Sequence, residues 1–300
     1  MELVTSTNIY FERRHERPVD TEQCLRLCAG AGFKKMDFGF AEHVLVSEKF
    51  RTDRWEEEIR GYRDLAETLG LSFAQAHASI LDFCNPGEDF AEKEELFKRS
   101  LLGAKMLGAP WIVVHPSTKV KNGCADPETH AENVRFFRKY SRIADEIGIG
   151  IAIENMWGKT REGVRNYAVD PEELFQLIED VDCENVRVCW DVEHGSIENL
   201  DQPGAIRLLG KYIVATHVSD ESGADNIHIL PYLGRMDWEE IFRAFARVDY
   251  NGTFDLEIQH FLPGVPEQLI PTAMKLAYET GMYMTARIEK LKQEMKETGR

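Results

Sequence analysis

Four residues stand at the ends of short apolar runs and could together bind a metal ion. Glu154 ends Ile151-Ala152-Ile153 and Asp191 ends Val188-Cys189-Trp190. His217 follows Ala215-Thr216, and Glu257 follows Phe254-Asp255-Leu256. Three carboxylates brought together without a cation repel one another, and some would need raised pKa values. A divalent ion removes that cost. An oxygen-rich set with one imidazole suits Mn²⁺, Mg²⁺, Co²⁺ or Zn²⁺. The competing reading is a network of buried ion pairs with Arg or Lys at neighbouring strand ends. Further imidazoles end other runs: His77 after Gln75-Ala76, and His115 after Trp111-Ile112-Val113-Val114. With His228 they supply enough imidazole for a second or third ion, Zn²⁺ first among the choices. The alternative for His77 and His115 is a substrate hydrogen bond or a satisfied core position. His194, three residues beyond Asp191, is read as a substrate contact or a further ligand.

The four residues are 37, 26 and 40 positions apart, so a repeating fold must bring them together. Eight short apolar or β-branched runs lie near residues 3–9, 35–38, 72–76, 111–115, 149–154, 187–191, 213–218 and 253–258. Several are apolar almost throughout, as strands covered on both faces are. Helical patterns lie between them, over 20–31, 54–69, 88–107, 127–147, 171–178, 203–209 and 238–246. Asp126, Asp170 and Asp237 precede three of these as N-caps, with Pro127 and Pro171 at the first helical position. Gly70, Gly108 and Gly148 end helices just before a strand. Eight strand–helix units in about 285 residues give roughly 36 residues each, which matches a closed (β/α)₈ TIM barrel. An open doubly wound sheet would carry a Gly-rich phosphate loop after its first strand, and Tyr10-Phe11-Glu12-Arg13-Arg14-His15 is not one. The expected fold is therefore α/β: a single barrel over 1–285 with a charged helical tail over 286–300. The long stretches 82–88, 117–126, 156–169 and 220–237 follow strands, the end of a barrel where active sites lie.

Composition narrows the function. The 300 residues hold 36 Lys+Arg against 52 Asp+Glu, a net charge of −16. That balance argues against nucleic acid or an anionic membrane as a partner. A hydrophobic share of 43% with 16 Phe, 9 Tyr and 5 Trp excludes general disorder. No apolar run reaches membrane-spanning length, and the start lacks a secretory signal pattern. The six cysteines, Cys24, Cys28, Cys84, Cys124, Cys183 and Cys189, follow no disulfide spacing, which fits reduced thiols in the cytoplasm. Cys24 and Cys28 are read as packing on a helix.

The segments Ile153-Glu154-Asn155, Trp190-Asp191-Val192-Glu193-His194, His217-Val218-Ser219-Asp220, the stretch from His228 to Trp238, and Leu256-Glu257 resemble the superfamily of xylose-isomerase-like TIM barrels. The resemblance covers about residues 3–280. It implies that Glu154, Asp191, His217 and Glu257 hold one divalent ion, Mn²⁺ first, and that His194 touches the substrate. It also implies that Glu154 and Glu257 flank the substrate and move protons at the carbon next to a carbonyl, through a metal-stabilised enediolate. Sugar isomerisation, epimerisation and dehydration of a keto-polyol share that step, so the implied substrate is a small carbohydrate. Relatives of this kind are often dimers or tetramers, which makes a homo-oligomer one expectation.

The superfamily also contains the endonuclease IV type of Zn-dependent phosphoester hydrolase, which uses three ions and histidines after strands three and four. His77 and His115 match that pattern. Its Asp-x-His pair reads Asn226-Ile227-His228 here, with Asp225 one residue early. Arg13, Arg14, Lys119, Lys121, Lys159, Arg161 and Arg165, the basic residues near the expected mouth, suffice for one phosphate or carboxylate and are thin for a duplex. The ketose 3-epimerase branch carries an Arg six residues after the strand-seven histidine, where this chain has Gly223. Trp157, Phe11 and Phe83 follow strands and could wall a sugar or pack under a lid; Trp157 is the one placed at the substrate. Asp220 is expected to orient a histidine from behind.

Overall fold

The computed structural model describes residues 1–10, 20–223 and 225–298; Phe11, Arg13, Arg14 and Ala224 lie outside the described residues. Eight parallel strands close into a barrel in chain order: β1 (Glu2–Ser6), β2 (Lys35–Gly39), β3 (Ser72–His77), β4 (Trp111–Val114), β5 (Gly150–Glu154), β6 (Val186–Asp191), β7 (Ile213–Val218) and β8 (Thr253–Leu256). The first and last strands complete the ring, with Glu2 opposite Thr253 and Val4 opposite Asp255.

Strand alternation sorts the side chains into two cores. Ile112, Ile151, Ile153, Val188 and Trp190 point outward and pack against the helices. Val113, Ala152, Cys189 and Ala215 form a separate cluster inside the barrel. Each of these four stands two positions before a candidate site residue: His115, Glu154, Asp191 and His217. The period of two therefore lifts those polar groups onto the inward face one step above a small apolar plug. Cys24 and Cys28 are buried in the outer core, as their helical spacing suggested, and all six cysteines are free.

The outer layer is made by α1 (Thr21–Ala31), α3 (Trp55–Thr68), α4 (Phe90–Leu107), α5 (Thr129–Ile147), α6 (Pro171–Val181), α8 (Gln202–Leu209), α9 (Trp238–Arg247) and α10 (Ile270–Thr298). Two short helices not foreseen from periodicity, α2 (Phe40–Val46) and α7 (Val192–Ile197), follow directly on β2 and β6. They are too short to display a repeat.

Three local expectations change. The first strand ends at Ser6, and a 3₁₀ turn, Thr7–Tyr10, takes over. The Ser6 hydroxyl accepts the Asn8 N–H at 3.2 Å and bends the chain. Asp126 is not the cap of α5, because a turn with Thr129 N–H on Asp126 O at 3.0 Å intervenes before the helix begins. Asp126 caps that turn instead, accepting Glu128 N–H at 2.8 Å. Asp170 does precede α6 with Pro171 next, but its side chain makes no cap bond. Asp237 caps α9 as expected, taking the Glu240 N–H.

Residue 285 falls inside α10, a continuous helix from Ile270 to Thr298. Beyond that point Ile288, Leu291 and Lys292 are still buried. The Lys292 ammonium donates to Tyr250 O and to Asn251 Oδ1, holding the turn that enters β8. Removing residues 286–300 should therefore destabilise the barrel by roughly 3–6 kcal/mol, the burial of two aliphatic side chains. Urea denaturation of the truncated chain checks this, and an unchanged midpoint would contradict it.

Candidate metal centre

The ends of the last four strands each deliver one polar group to the barrel mouth. Glu154 closes β5, Asp191 closes β6, His217 lies in β7, and Glu257 follows β8. One ligand atom from each lies within 4.8 Å of the others. Asp191 and His217 are direct partners across β6 and β7. His217 Nδ1 stands 2.9 Å from Glu154 Oε1 and 3.4 Å from Glu257 Oε2. Glu154, Asp191 and His217 are at most 1% exposed.

Two observations test whether this set suits a divalent ion. Asp191 Oδ1 accepts the His194 N–H at 2.9 Å, but Asp191 Oδ2 is buried and has no hydrogen-bond partner among the described residues. A buried carboxylate oxygen without a donor is costly unless something cationic meets it. Among the described residues no Lys or Arg pairs with Glu154, Asp191 or Glu257; their ion pairs are all to histidines. Among the described residues, then, no lysine or arginine network accounts for the cluster. Three carboxylates, one imidazole and a free buried oxygen fit a divalent ion.

The protonation pattern reflects the crowding. Burial pushes the Asp191 carboxyl well above its ordinary value, with repulsion from Glu154 adding to it. Burial would also raise Glu154, but the His217 and His115 imidazoles overcome it and hold Glu154 well below the carboxylate range. Burial opposes charge on His217, yet Glu257 and Glu154 keep that imidazole protonated well above its usual value. Without a metal, His217 is thus the cation that Glu154 and Glu257 share.

His77 and His115 sit on the other side of Glu154. His115 Nε2 is 2.9 Å from Glu154 Oε2, His77 Nε2 is 3.3 Å from it, and the two ring nitrogens are 3.1 Å apart. His77 Nδ1 donates to Ala78 O at 2.9 Å, which leaves Nε2 turned to the carboxylate. His77, His115 and Glu154 therefore form a second three-ligand cluster, with Glu154 presenting one oxygen to each. Burial disfavours charge on His77, but the Glu154 carboxylate lifts its pKa to about 9.

His194, on α7, donates from Nδ1 to Asn155 O at 2.8 Å and places Nε2 3.3 Å from Asp191 Oδ2. Trp157 stacks on the His194 ring, with centroids 4.0 Å apart. His228 lies outside the four-ligand cluster. Its Nδ1 is 3.4 Å from Glu193 Oε1, and burial lowers its pKa to about 4. Phe83 stacks on Phe136 at 3.7 Å and belongs to the packing between loop and helix. Asp220 does not orient a histidine. It accepts from Tyr232 N and Trp238 Nε1, both at 2.9 Å, and ties the β7–α9 loop to itself. Of the basic groups near the mouth, Lys119 pairs with Glu128 and Glu132, and Arg165 with Asp170 and Glu173.

Sequence reasoning missed several buried groups around the cluster. Asp37, Gln75 and Asp255 lie within the barrel, with Gln75 Nε2 donating to Asp37 Oδ2 at 2.8 Å and Asp255 Oδ2 at 3.3 Å. Glu193 accepts from the Ser219 hydroxyl at 2.9 Å behind His228. Asn8 donates to Glu257 Oε1 at 3.1 Å. A polar residue inside an apolar strand was the available signal for Asp37 and Asp255; Asn8 and Glu193 had none.

The closed barrel and the cluster at its C-terminal mouth define a metal-binding (β/α)₈ protein. The xylose isomerase-like TIM barrel family model matches residues 25–280, and the chain belongs to that family. It is 30% identical over 236 residues to D-psicose 3-epimerase of Ruminiclostridium cellulolyticum, covering 74% of each chain. An uncharacterized protein of Sinorhizobium fredii is 30% identical over 172 residues, 54% of this chain and 51% of that protein, so the chain spans about half the length of that relative. A solved xylose isomerase domain protein from Alicyclobacillus acidocaldarius superposes with a TM-score of 0.73 at 16% identity, over 96% of this chain and 99% of that one.

A metal bound to this cluster stabilises only the folded chain. Chelator-treated protein reloaded with Mn²⁺ at a thousandfold excess over Kd should gain about 4 kcal/mol, a rise in melting temperature on the order of 5 °C. The same addition to Asp191→Asn should give a much smaller rise. Equal shifts in both proteins would contradict the assignment of these ligands.

Proposed function

We propose that the chain is a divalent-metal-dependent isomerase, epimerase or dehydratase of a sugar or keto-polyol. The observation that carries the reading is the pair Glu154 and Glu257, which lie 2.9 and 3.4 Å from His217 Nδ1 inside a four-ligand cluster. The D-psicose 3-epimerase likeness supports the same class. A divalent ion held there, Mn²⁺ in this proposal, supplies Lewis-acid polarisation of a carbonyl. The other roles belong to the chain. Both glutamates are held ionised: burial opposes this at each, and the facing imidazoles outweigh it. One takes the proton from the carbon beside the carbonyl, and the same or the other glutamate returns it. His194, fixed by Asn155 O and stacked on Trp157, presents Nε2 to substrate oxygens. His77, His115 and His228 complete the polar wall of the pocket. The six free thiols support a reducing compartment such as the cytoplasm, and among the described residues no helix is long and apolar enough to cross a membrane.

A second reading has one specific observation in its favour, the His77–His115–Glu154 cluster. Two ions bridged by Glu154 would suit phosphoester hydrolysis. Against a third ion, Asp225 and Asn226 are exposed and Asn226 Nδ2 is turned to the Ser222 hydroxyl. The two readings differ in metal count: one ion per chain for the first, two or more tightly held Zn²⁺ for the second.

Proton removal is directly measurable. In deuterated water, the Mn²⁺-loaded enzyme should exchange hydrogen at the carbon next to the carbonyl of a ketohexose such as D-psicose. Glu257→Gln and Glu154→Gln should each slow that exchange by roughly 10²–10⁴-fold. No exchange by the native enzyme across ketoses, aldoses and inososes, together with cleavage of phosphate esters, would replace the first reading with the second.

A further inference from the structure

Buried polar atoms without partners are concentrated at the barrel mouth. Asp191 Oδ2 belongs to the metal cluster, and Glu193 Oε1 faces His228 Nδ1. Two others stand together on the opposite side: Asn8 Oδ1 and Glu42 Oε2, both buried and, among the described residues, both without a hydrogen-bond donor. Asn8 follows β1 and is 2% exposed; Glu42 lies in α2, directly after β2.

The orientation of Asn8 is fixed by its neighbours. Its Nδ2 donates to Glu257 Oε1 at 3.1 Å and to Glu42 Oε1 at 3.4 Å. An amide nitrogen between two carboxylates leaves the amide oxygen pointing elsewhere, so Oδ1 remains an open acceptor. Glu42 is held close to the strand end. A Cβ on Gly39 would lie 2.5 Å from Glu42 Oε2, so only the absence of a side chain at residue 39 lets the carboxylate settle there. Gly39 N–H in turn donates to the Thr7 hydroxyl at 2.9 Å, which fastens the end of β2 to the turn bearing Asn8. The result is a pair of preset acceptors joined through one amide to Glu257.

We propose that Asn8 and Glu42 form a subsite that accepts hydrogen bonds from hydroxyl groups of the substrate beyond the carbon that reacts. It rests on the sugar reading of the preceding section and deepens it: the ligand must carry hydroxyl donors at this position. Two buried acceptors are satisfied only by donors, and a polyol chain supplies adjacent O–H groups. A phosphate or carboxylate would bring negative charge beside Glu42 and Glu257 and is disfavoured here. Through Nδ2, Asn8 also couples occupancy of the subsite to the position of the Glu257 carboxylate.

The test compares two probes on Mn²⁺-loaded protein by calorimetry: D-psicose, with a full hydroxyl chain, and dihydroxyacetone, which offers a ketone flanked by hydroxymethyl groups and no further chain. Bound Mn²⁺ per chain is measured alongside. Glu42→Leu removes the acceptor. Gly39→Ala displaces it while leaving its chemistry intact, and the backbone φ of −74° at Gly39 suits alanine should the first variant fail to fold. The native protein should prefer D-psicose, and each variant should lose roughly tenfold of that preference with bound Mn²⁺ unchanged. A native protein without the preference, or variants that keep it, overturns the subsite and leaves the sugar reading standing. Variants that lose Mn²⁺ would make Glu42 a support for the metal ligands instead, which also overturns it. A native protein that binds neither ketose removes the sugar reading and the subsite with it.

Discussion

Mutual repulsion of carboxylates on the barrel axis is the constraint around which this molecule is arranged. Glu154, Asp191 and Glu257 are forced together by strand closure, and Asp37 and Asp255 lie in the same interior. Burial removes the water that would screen them. The chain offers His217 as a shared partner for both groups: its ligand atoms join the upper cluster, and its Nε2 lies 4.0 Å from Asp37 Oδ2. One imidazolium does not neutralise that many acids, and burial accordingly raises the carboxyls of Asp37, Asp191 and Asp255. The interior is built at a cost to stability that a bound cation would offset.

The rest of the fold serves to hold that arrangement still. The inner plug of Val113, Ala152, Cys189 and Ala215 sets the floor of the site, and small residues there leave room for the polar step above. Behind the ligands, backbone and side-chain partners fix each ring. Asn155 both accepts the Asp191 N–H at 2.7 Å and donates to Asp191 O at 3.0 Å, while its own carbonyl aims His194. Glu193 holds the 228 backbone and faces the His228 ring, so the residue next to a ligand strand supports a loop more than thirty residues away. Such supports are what keep a ligand set within the tolerance that metal binding and proton transfer require.

Much of this was readable from the chain, and the limits have physical causes. The eight strands stood out because runs such as Trp111-Ile112-Val113-Val114 are covered on both faces, and the ligands stood out because each ends such a run. Closure then followed from the count of units. Asp37 and Asp255 occur inside strands, where a single polar letter does not say which partner it finds. Asn8 and Glu42 lie in a 3₁₀ turn and a seven-residue helix, elements too short for any periodic signal. Asp126 looked like a helix cap because Asp-Pro is a strong start signal, yet the loop used it for a turn. Trp157 stacks on His194 where the loop after β5 meets helix α7, a contact that no spacing along the chain encodes.

In the function proposed here, Glu154, Asp191, His217 and Glu257 together hold one divalent ion beside the two glutamates that move protons. Its most direct test is a crystal of the native chain soaked in Mn²⁺, with anomalous diffraction recorded at the manganese edge. One dominant peak should lie inside the four-ligand cluster, bonded to Asp191 Oδ2. A dominant peak at His77 and His115, or none at the barrel mouth, would contradict it.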